Sequence, residues 1–228
     1  MAATLCIVTS LSWRSAPRVL QRASTAVRRS VTTLSLAPIS IGDASASQAE
    51  DISRVVNWAY RGKHDGGDAR AWTGERHLLS GVRITADAAR AQIDRCGAEE
   101  ALLVATSSTD ELLGTVTVTR VAPTVAEIGM LSVDPDMQSQ GVGGRLLDAA
   151  EERAAAFGAA SLVMYVIDSR DDLLHWYARK GYEPCPDAPR VPFPVEAGVG
   201  TPWDVAANLQ FMKIAKDASS RCQNRTLV

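Results

Sequence analysis

The chain has 228 residues, 46% of them hydrophobic, enough for one domain with a sizeable core. Its 24 basic and 26 acidic residues give a net charge of −2, which offers no electrostatic footprint for a nucleic acid, and no apolar run approaches the ~20 residues that cross a bilayer. Cys6, Cys96, Cys185 and Cys222 are far apart and contain no CxxC pair, so they point to neither a disulfide framework nor a zinc site.

Residues 1–36 carry Arg14, Arg18, Arg22, Arg28 and Arg29, and no acid precedes Asp43. Without this segment 19 basic residues remain against 26 acidic ones, a net of −7. Arg-rich, Ser-rich and acid-poor is the composition of an organelle transit peptide. Arg14, Arg18 and Arg22 would form one basic stripe on a helix, with Trp13, Leu20, Ala23 and Val27 as apolar area elsewhere on it. The alternative is a disordered basic tail. A secretory signal fits worse, because the apolar stretch Leu5–Leu11 is short and precedes the arginines. The spaced arginines favour a mitochondrial address over a plastid one.

Leu34–Ile41 reads as a first strand, placed at a sheet edge by Pro38. Ser47 and Glu50 form a capping-box pattern, and Ala49, Ile52, Val55, Val56 and Ala59 recur at helical spacing to about Tyr60. Arg61–Gly74 reads as a loop. Thr85 caps a predicted helix Ala86–Arg95, with Asp87 in its first turn. Ala101–Thr106 and Leu113–Val121 then read as a hairpin across the turn-like Ser107–Glu111. Val125–Val133 reads as a third strand, Val142–Phe157 as a helix and Ser161–Ile167 as a buried strand. Ser169–Lys180 is a predicted helix capped by Ser169, and Asn208–Ala215 a last strand. The order β-α-α-β-β-β-α-β-α-β argues for α/β (α+β) architecture with a mixed, mostly antiparallel sheet flanked by helices, and against a doubly wound parallel one. Residues 37–216 form the predicted domain, and 217–228 a loose polar tail.

The stretch VDPDMQSQGVGGRLL joins strand to helix through Gly141, Gly143 and Gly144. Amides at a helix start lack intrahelical partners and carry the positive end of its dipole, and glycines let a diphosphate come close. A plain tight turn is the alternative. The turn lacks the Lys-Ser/Thr of a P-loop, and Leu146 stands where a dinucleotide fingerprint needs glycine.

Gln138-x-x-Gly141-x-Gly143 resembles the acyl-CoA loop of the GNAT N-acetyltransferase superfamily, Q/R-x-x-G-x-G/A. Glu127-Ile-Gly-Met-Leu-Ser-Val133 resembles the strand before that loop, and Trp176-Tyr177-Ala-Arg-Lys-Gly181-Tyr182 the later aromatic-Tyr-x-x-x-Gly-Phe/Tyr motif. These pieces occur in family order over roughly residues 36–215. Asn57–Ala86 and Pro192-Phe193-Pro194 also resemble a bacterial-type branch of the superfamily. Arg170 and Leu173 depart from the Asn and Ala that many members carry seven and four residues before the motif tyrosine.

The resemblance implies a V-shaped acyl-CoA cleft between the strands ending at Val133 and Ile167, with acetyl-CoA as co-substrate and no metal. Met130, Leu131, Ser132 and Val133 would pair with pantetheine, and an amide near Leu131 would polarise the thioester carbonyl. Gln138, Ser139, Gln140, Gly141, Val142, Gly143 and Gly144 would carry the pyrophosphate beside Arg145. Arg170 would reach a phosphate, or else be an exposed arginine on a first helical turn. Tyr177 would be the general acid, or else a half-buried core tyrosine. Glu127 would be the general base, or else an edge-strand charge. His64, His77 and His175 lack metal-ligand spacing, and Trp72 and Trp203 lie where the fold builds its acceptor pocket or are packing anchors.

The implied activity is transfer of an acetyl group to a primary amine by direct attack in a ternary complex. The alternative is a catalytically weak acyl-CoA-binding sensor. The implied partners are acetyl-CoA and an amine acceptor, with no nucleic acid and no membrane, in a monomer or homodimer. Residues 1–36 fused to a fluorescent reporter are expected to deliver it to mitochondria and to be cleaved near Arg28–Thr33. A cytosolic reporter would contradict the presequence reading.

Overall fold

The computed structural model describes residues 38–63, 74–193, 200–204 and 209–218. Residues 1–37, on which the transit-peptide reading rests, and His64, Trp72, Pro194, Asn208 and the residues beyond 218 lie outside them. Among the described residues, ten strands and four α-helices follow in chain order: β1 (Ser40–Asp43), α1 (Ala49–Arg61), β2 (Leu79–Ser80), α2 (Ala86–Arg95), β3 (Glu100–Thr106), β4 (Leu112–Ala122), β5 (Val125–Val133), α3 (Val142–Ala156), β6 (Ser161–Ile167), α4 (Asp171–Arg179), β7 (Glu183–Pro184), β8 (Val191–Pro192), β9 (Thr201–Pro202) and β10 (Gln210–Asp217).

The main sheet runs β1-β3-β4-β5-β6-β10-β7, with β8 also on β10, while β2 and β9 pair separately. Every pairing is antiparallel except β5 with β6. The mixed, mostly antiparallel reading therefore holds. β1 is an edge strand, as Pro38 demands, but it begins at Ser40.

Alternation along the strands sorts the core into two layers. Ala101, Leu103 and Ala105 of β3, Val116 and Val118 of β4 and Ala126 and Ile128 of β5 face α3, whose Val142, Leu146, Leu147, Ala150 and Ala154 are buried at helical spacing. Leu102, Val104 and Leu112 face the other way, against Ile52, Val55 and Val56 of α1 and Ala89 of α2. Each large side chain buried this way contributes about 1.5–3 kcal/mol relative to exposure.

Two helix starts differ from the sequence reading. A 3₁₀ turn, Ala46–Gln48, runs directly into α1, so Ser47 lies inside helical backbone and cannot cap it. The capping box sits upstream, on Ser45 and Gln48, with Ser45 N–H donating to Gln48 Oε1 at 2.9 Å. Glu50 and Asp51 instead complement the dipole in the first turn. α4 starts at Asp171, and Arg170, not Ser169, is its N-cap. The α2 reading is reproduced: Thr85 Oγ1 accepts from Ala88 N–H at 3.1 Å. Asn57 holds the α1–α2 connection by donating to Ile84 carbonyl at 2.7 Å and accepting from Arg83 N–H at 2.6 Å.

Gly114 sets how closely α3 sits on the sheet. A Cβ there would meet Ser132 carbonyl oxygen at 2.5 Å and Leu146 Cδ1 at 2.8 Å. Gly114→Ala is expected to destabilise the domain by about 1–3 kcal/mol, the usual cost of overpacking, read from the denaturant midpoint. An unchanged midpoint would contradict this packing.

Candidate active site

The site begins where β5 leaves β6. The two strands pair over Val125↔Ser161, Ala126↔Leu162 and Glu127↔Val163, and there the pairing ends, although both continue. β6 stays in the sheet through β10, opposite Phe211 to Asp217. β5 stays on β4, but with a bulge: Thr117↔Gly129 is followed by Thr115↔Ser132, one residue more on β5. Met130 sits in this bulge at φ 45°. Among the described residues, the side of β5 that faced β6 has no strand partner beyond Glu127.

A cavity of about 640 Å³ opens beside this end of β5. Its wall joins Leu131 and Val133 of β5 to Gln138, Ser139, Gly141, Val142, Gly143 and Gly144 of the glycine turn, and to Trp176, Tyr177 and Arg179 of α4. The turn is locally built for an anion. Ser139 and Gly141 are both left-handed, at φ 63° and 81°, a backbone that turns successive amides into one concavity. The bond of Arg145 N–H to Gly141 carbonyl, 3.1 Å, begins the ladder of α3, so the Val142, Gly143 and Gly144 amides precede it. Upstream, Lys63 clamps Asp134 at 2.7 Å and Asp136 at 2.5 Å, fixing the segment that leads from β5 into the turn.

Tyr177 is placed by the end of its own helix. Tyr182 N–H bonds Tyr177 carbonyl and Gly181 N–H bonds Ala178 carbonyl, both at 3.0 Å, with Gly181 at φ 87°. This is a Schellman ending, which calls for glycine and for a hydrophobic contact between the flanking residues. The Tyr177 and Tyr182 rings make that contact at 5.9 Å. Tyr182 is 1% exposed and donates to Glu151, which also takes Lys216. The spacing Tyr-x-x-x-Gly-Tyr is thus the spacing of a helix end that pins the first ring through the second. Trp176 closes the other flank at 4.9 Å. Among the described residues no hydrogen bond holds the Tyr177 hydroxyl, and the residue lines the cavity. Burial, with Tyr60 nearby, raises its pKa well above the ordinary value, so the phenol stays protonated at working pH.

Glu127 occupies the opposite sheet face from its core neighbours Ala126 and Ile128. It lies between β4 and β6, opposite Thr119 and Val163, so it is not an edge-strand charge. Burial raises its pKa, opposed by Lys213.

The structure separates other residues from the cavity wall. Ser132 is fully buried, and its hydroxyl donates to Met130 carbonyl. Gln140 turns back to Asp136 carbonyl, and Arg145 to Ile39 carbonyl at 2.7 Å. Arg170 is no exposed first-turn arginine: it is 6% exposed, takes Asp172 through two bonds and donates to Gly74 carbonyl. The cations beside the turn are ones the sequence reading passed over. Arg179 lines the cavity, and Lys180 Nζ stands 3.2 Å from where a Cβ on Gly144 would be. Both follow Tyr177 closely, so the motif that places the phenol also delivers two charges. His77 and His175 are exposed, and so is Trp203, at 65%, although its ring nitrogen donates to the Arg76 carbonyl at 2.7 Å. Among the described residues no group of three or more His, Cys, Asp or Glu is placed to hold a metal ion.

The model of the Acetyltransferase (GNAT) family matches residues 71–182. None of the curated proteins matches the chain significantly in sequence. Similar solved structures include an acetyltransferase of the GNAT family from Staphylococcus aureus, 13% identical over 79% of this chain and 99% of that one, with a TM-score of 0.55. A Salmonella typhimurium protein solved with its cofactor acetyl-CoA is 14% identical over 79% and 94%, at 0.58. The ribosomal-protein-S18-alanine N-acetyltransferase of Escherichia coli is 15% identical over 79% and 94%, at 0.53. At these identities the likeness is one of fold.

Gly141→Val forces a β-branched residue into left-handed backbone, whereas Gly141→Asn tolerates it. By calorimetry, Gly141→Val is expected to weaken acetyl-CoA binding at least about tenfold, with Gly141→Asn in between. Unchanged affinity in both would remove the anion role of the turn.

Proposed function

Because the chain belongs to the GNAT acetyltransferase family, we propose that it transfers the acetyl group of acetyl-CoA to a primary amine by direct attack in a ternary complex. The observation that carries this reading is the shared cavity: one wall holds the glycine turn, another the Tyr177 phenol, and between them lies the unpaired side of β5. The diphosphate rests on the amides from Ser139 to Gly144, next to Arg179 and Lys180. Pantetheine, with its own amides, adds to Met130–Val133 as a further strand would.

Three requirements of acyl transfer then fall on named atoms. The Leu131 amide polarises the thioester carbonyl. Glu127 takes the proton of the acceptor's ammonium, directly or through a water, and the neutral amine then attacks. The Tyr177 hydroxyl gives its hydrogen bond, and then its proton, to the departing sulfur. A phenol held so far above its ordinary pKa is a poor acid in the ground state, so its hydrogen bond to sulfur counts mainly in the transition state, as charge gathers there.

Tyr177→Phe keeps the ring packing and removes only the donor. Steady-state thiol release is expected to show kcat about 10²-fold lower, with KM for acetyl-CoA nearly unchanged. Full activity would make Tyr177 a packing residue, and a loss of binding would make it a cofactor contact.

The pH profile tests Glu127. A base works ionised, so kcat/KM should fall as pH drops through the Glu127 pKa. Because burial raises that pKa, the fall should come at a higher pH than for an ordinary carboxylate. Glu127→Gln should abolish this limb and keep the alkaline rise that belongs to the amine. An identical profile in Glu127→Gln would pass the role to water.

A further inference from the structure

The bulge in β5 takes Met130 out of the ladder with β4, and its carbonyl needs another partner. Two hydroxyls supply it. Thr115 Oγ1, from the neighbouring strand, donates at 3.3 Å, and Ser132 Oγ, two residues on, at 3.1 Å. Both side chains are 0% exposed, so bulk water does not compete.

The Met130 carbonyl and the Leu131 N–H belong to one rigid trans peptide plane and point opposite ways. Fixing the oxygen therefore fixes the direction of the amide. We propose that Thr115 and Ser132 are positioning residues, whose side-chain hydroxyls hold the Met130 carbonyl and thereby aim the Leu131 amide at the thioester carbonyl. The proposal rests on the acetyl-transfer reading, in which that amide polarises the substrate. It assigns Thr115, which has no part in cofactor binding, a share in the rate. It also gives the Ser132 side chain a task separate from its backbone.

The test compares Thr115→Val, Ser132→Ala and their double variant with Thr115→Ser and Ser132→Thr, which keep the hydroxyls. Losing one donor is expected to lower kcat about three- to tenfold, and losing both about thirtyfold, less than the 10²–10³ of deleting an oxyanion donor outright because the amide remains. KM for acetyl-CoA should stay within about twofold, and the hydroxyl-retaining variants should recover most of the rate. A folded double variant with wild-type kcat would overturn the proposal. So would a rise in KM that matches the fall in kcat, or hydroxyl-retaining variants as slow as the deletions.

Hydrogen exchange of the Leu131 amide keeps the test independent of turnover and of the double variant's folding. Acetyl-CoA should slow this exchange in the wild-type chain and much less in either single deletion. Equal protection in the wild type and the single deletions overturns the clamp. A wild-type chain that turns over no amine while showing the expected exchange pattern would count against the acetyl-transfer reading and leave the clamp standing.

Discussion

The main sheet depends on one extra residue in β5. Up to Glu127 the strand is shared between β4 and β6; beyond the bulge at Met130 it belongs to β4 alone. A strand side left unpaired inside a fold costs free energy unless something bonds it. Here that side borders a cavity instead of another strand. The packing on each sheet face supports the arrangement. Gly114 lets α3 press onto the end of β5, and α1 covers the opposite face.

The parting of the strands also lets the two sheet faces meet. Tyr60 belongs to the helix on one face, and Tyr177 to the core layer of the other, yet Tyr60 bears on the ionisation of Tyr177. Glu127 lies on the α1 face and the glycine turn on the α3 face. In the proposed reaction the acceptor would approach from one side of the sheet and the acyl donor from the other. The chemistry needs only that they touch at the gap.

Much of this was legible in the sequence because it is local. Thr85 before Ala86–Arg95 is a cap readable from spacing, and the alternation of Val125–Val133 gave that strand its observed bounds. The Tyr177, Gly181 and Tyr182 spacing is a helix ending written in residue types. What was not legible depends on register. Nothing local to Met130 marks it as the surplus residue, since a bulge exists only relative to the partner strand. Glu127 looked compatible with an edge because strand order is not a local property. Arg170 resembled a phosphate ligand until Asp172 and Gly74 were seen to hold it. Two competing polar starts, Ser45 and Ser47, differ by the 3₁₀ turn between them, which sequence patterns do not distinguish.

The most direct measurement is a crystal structure of the chain with coenzyme A. The account predicts the diphosphate against the amides of residues 139–144, pantetheine along Met130–Val133 and the sulfur within hydrogen-bond reach of the Tyr177 hydroxyl. Coenzyme A bound in any other cavity, or β5 and β6 closed into one continuous pair with the ligand outside, would contradict it.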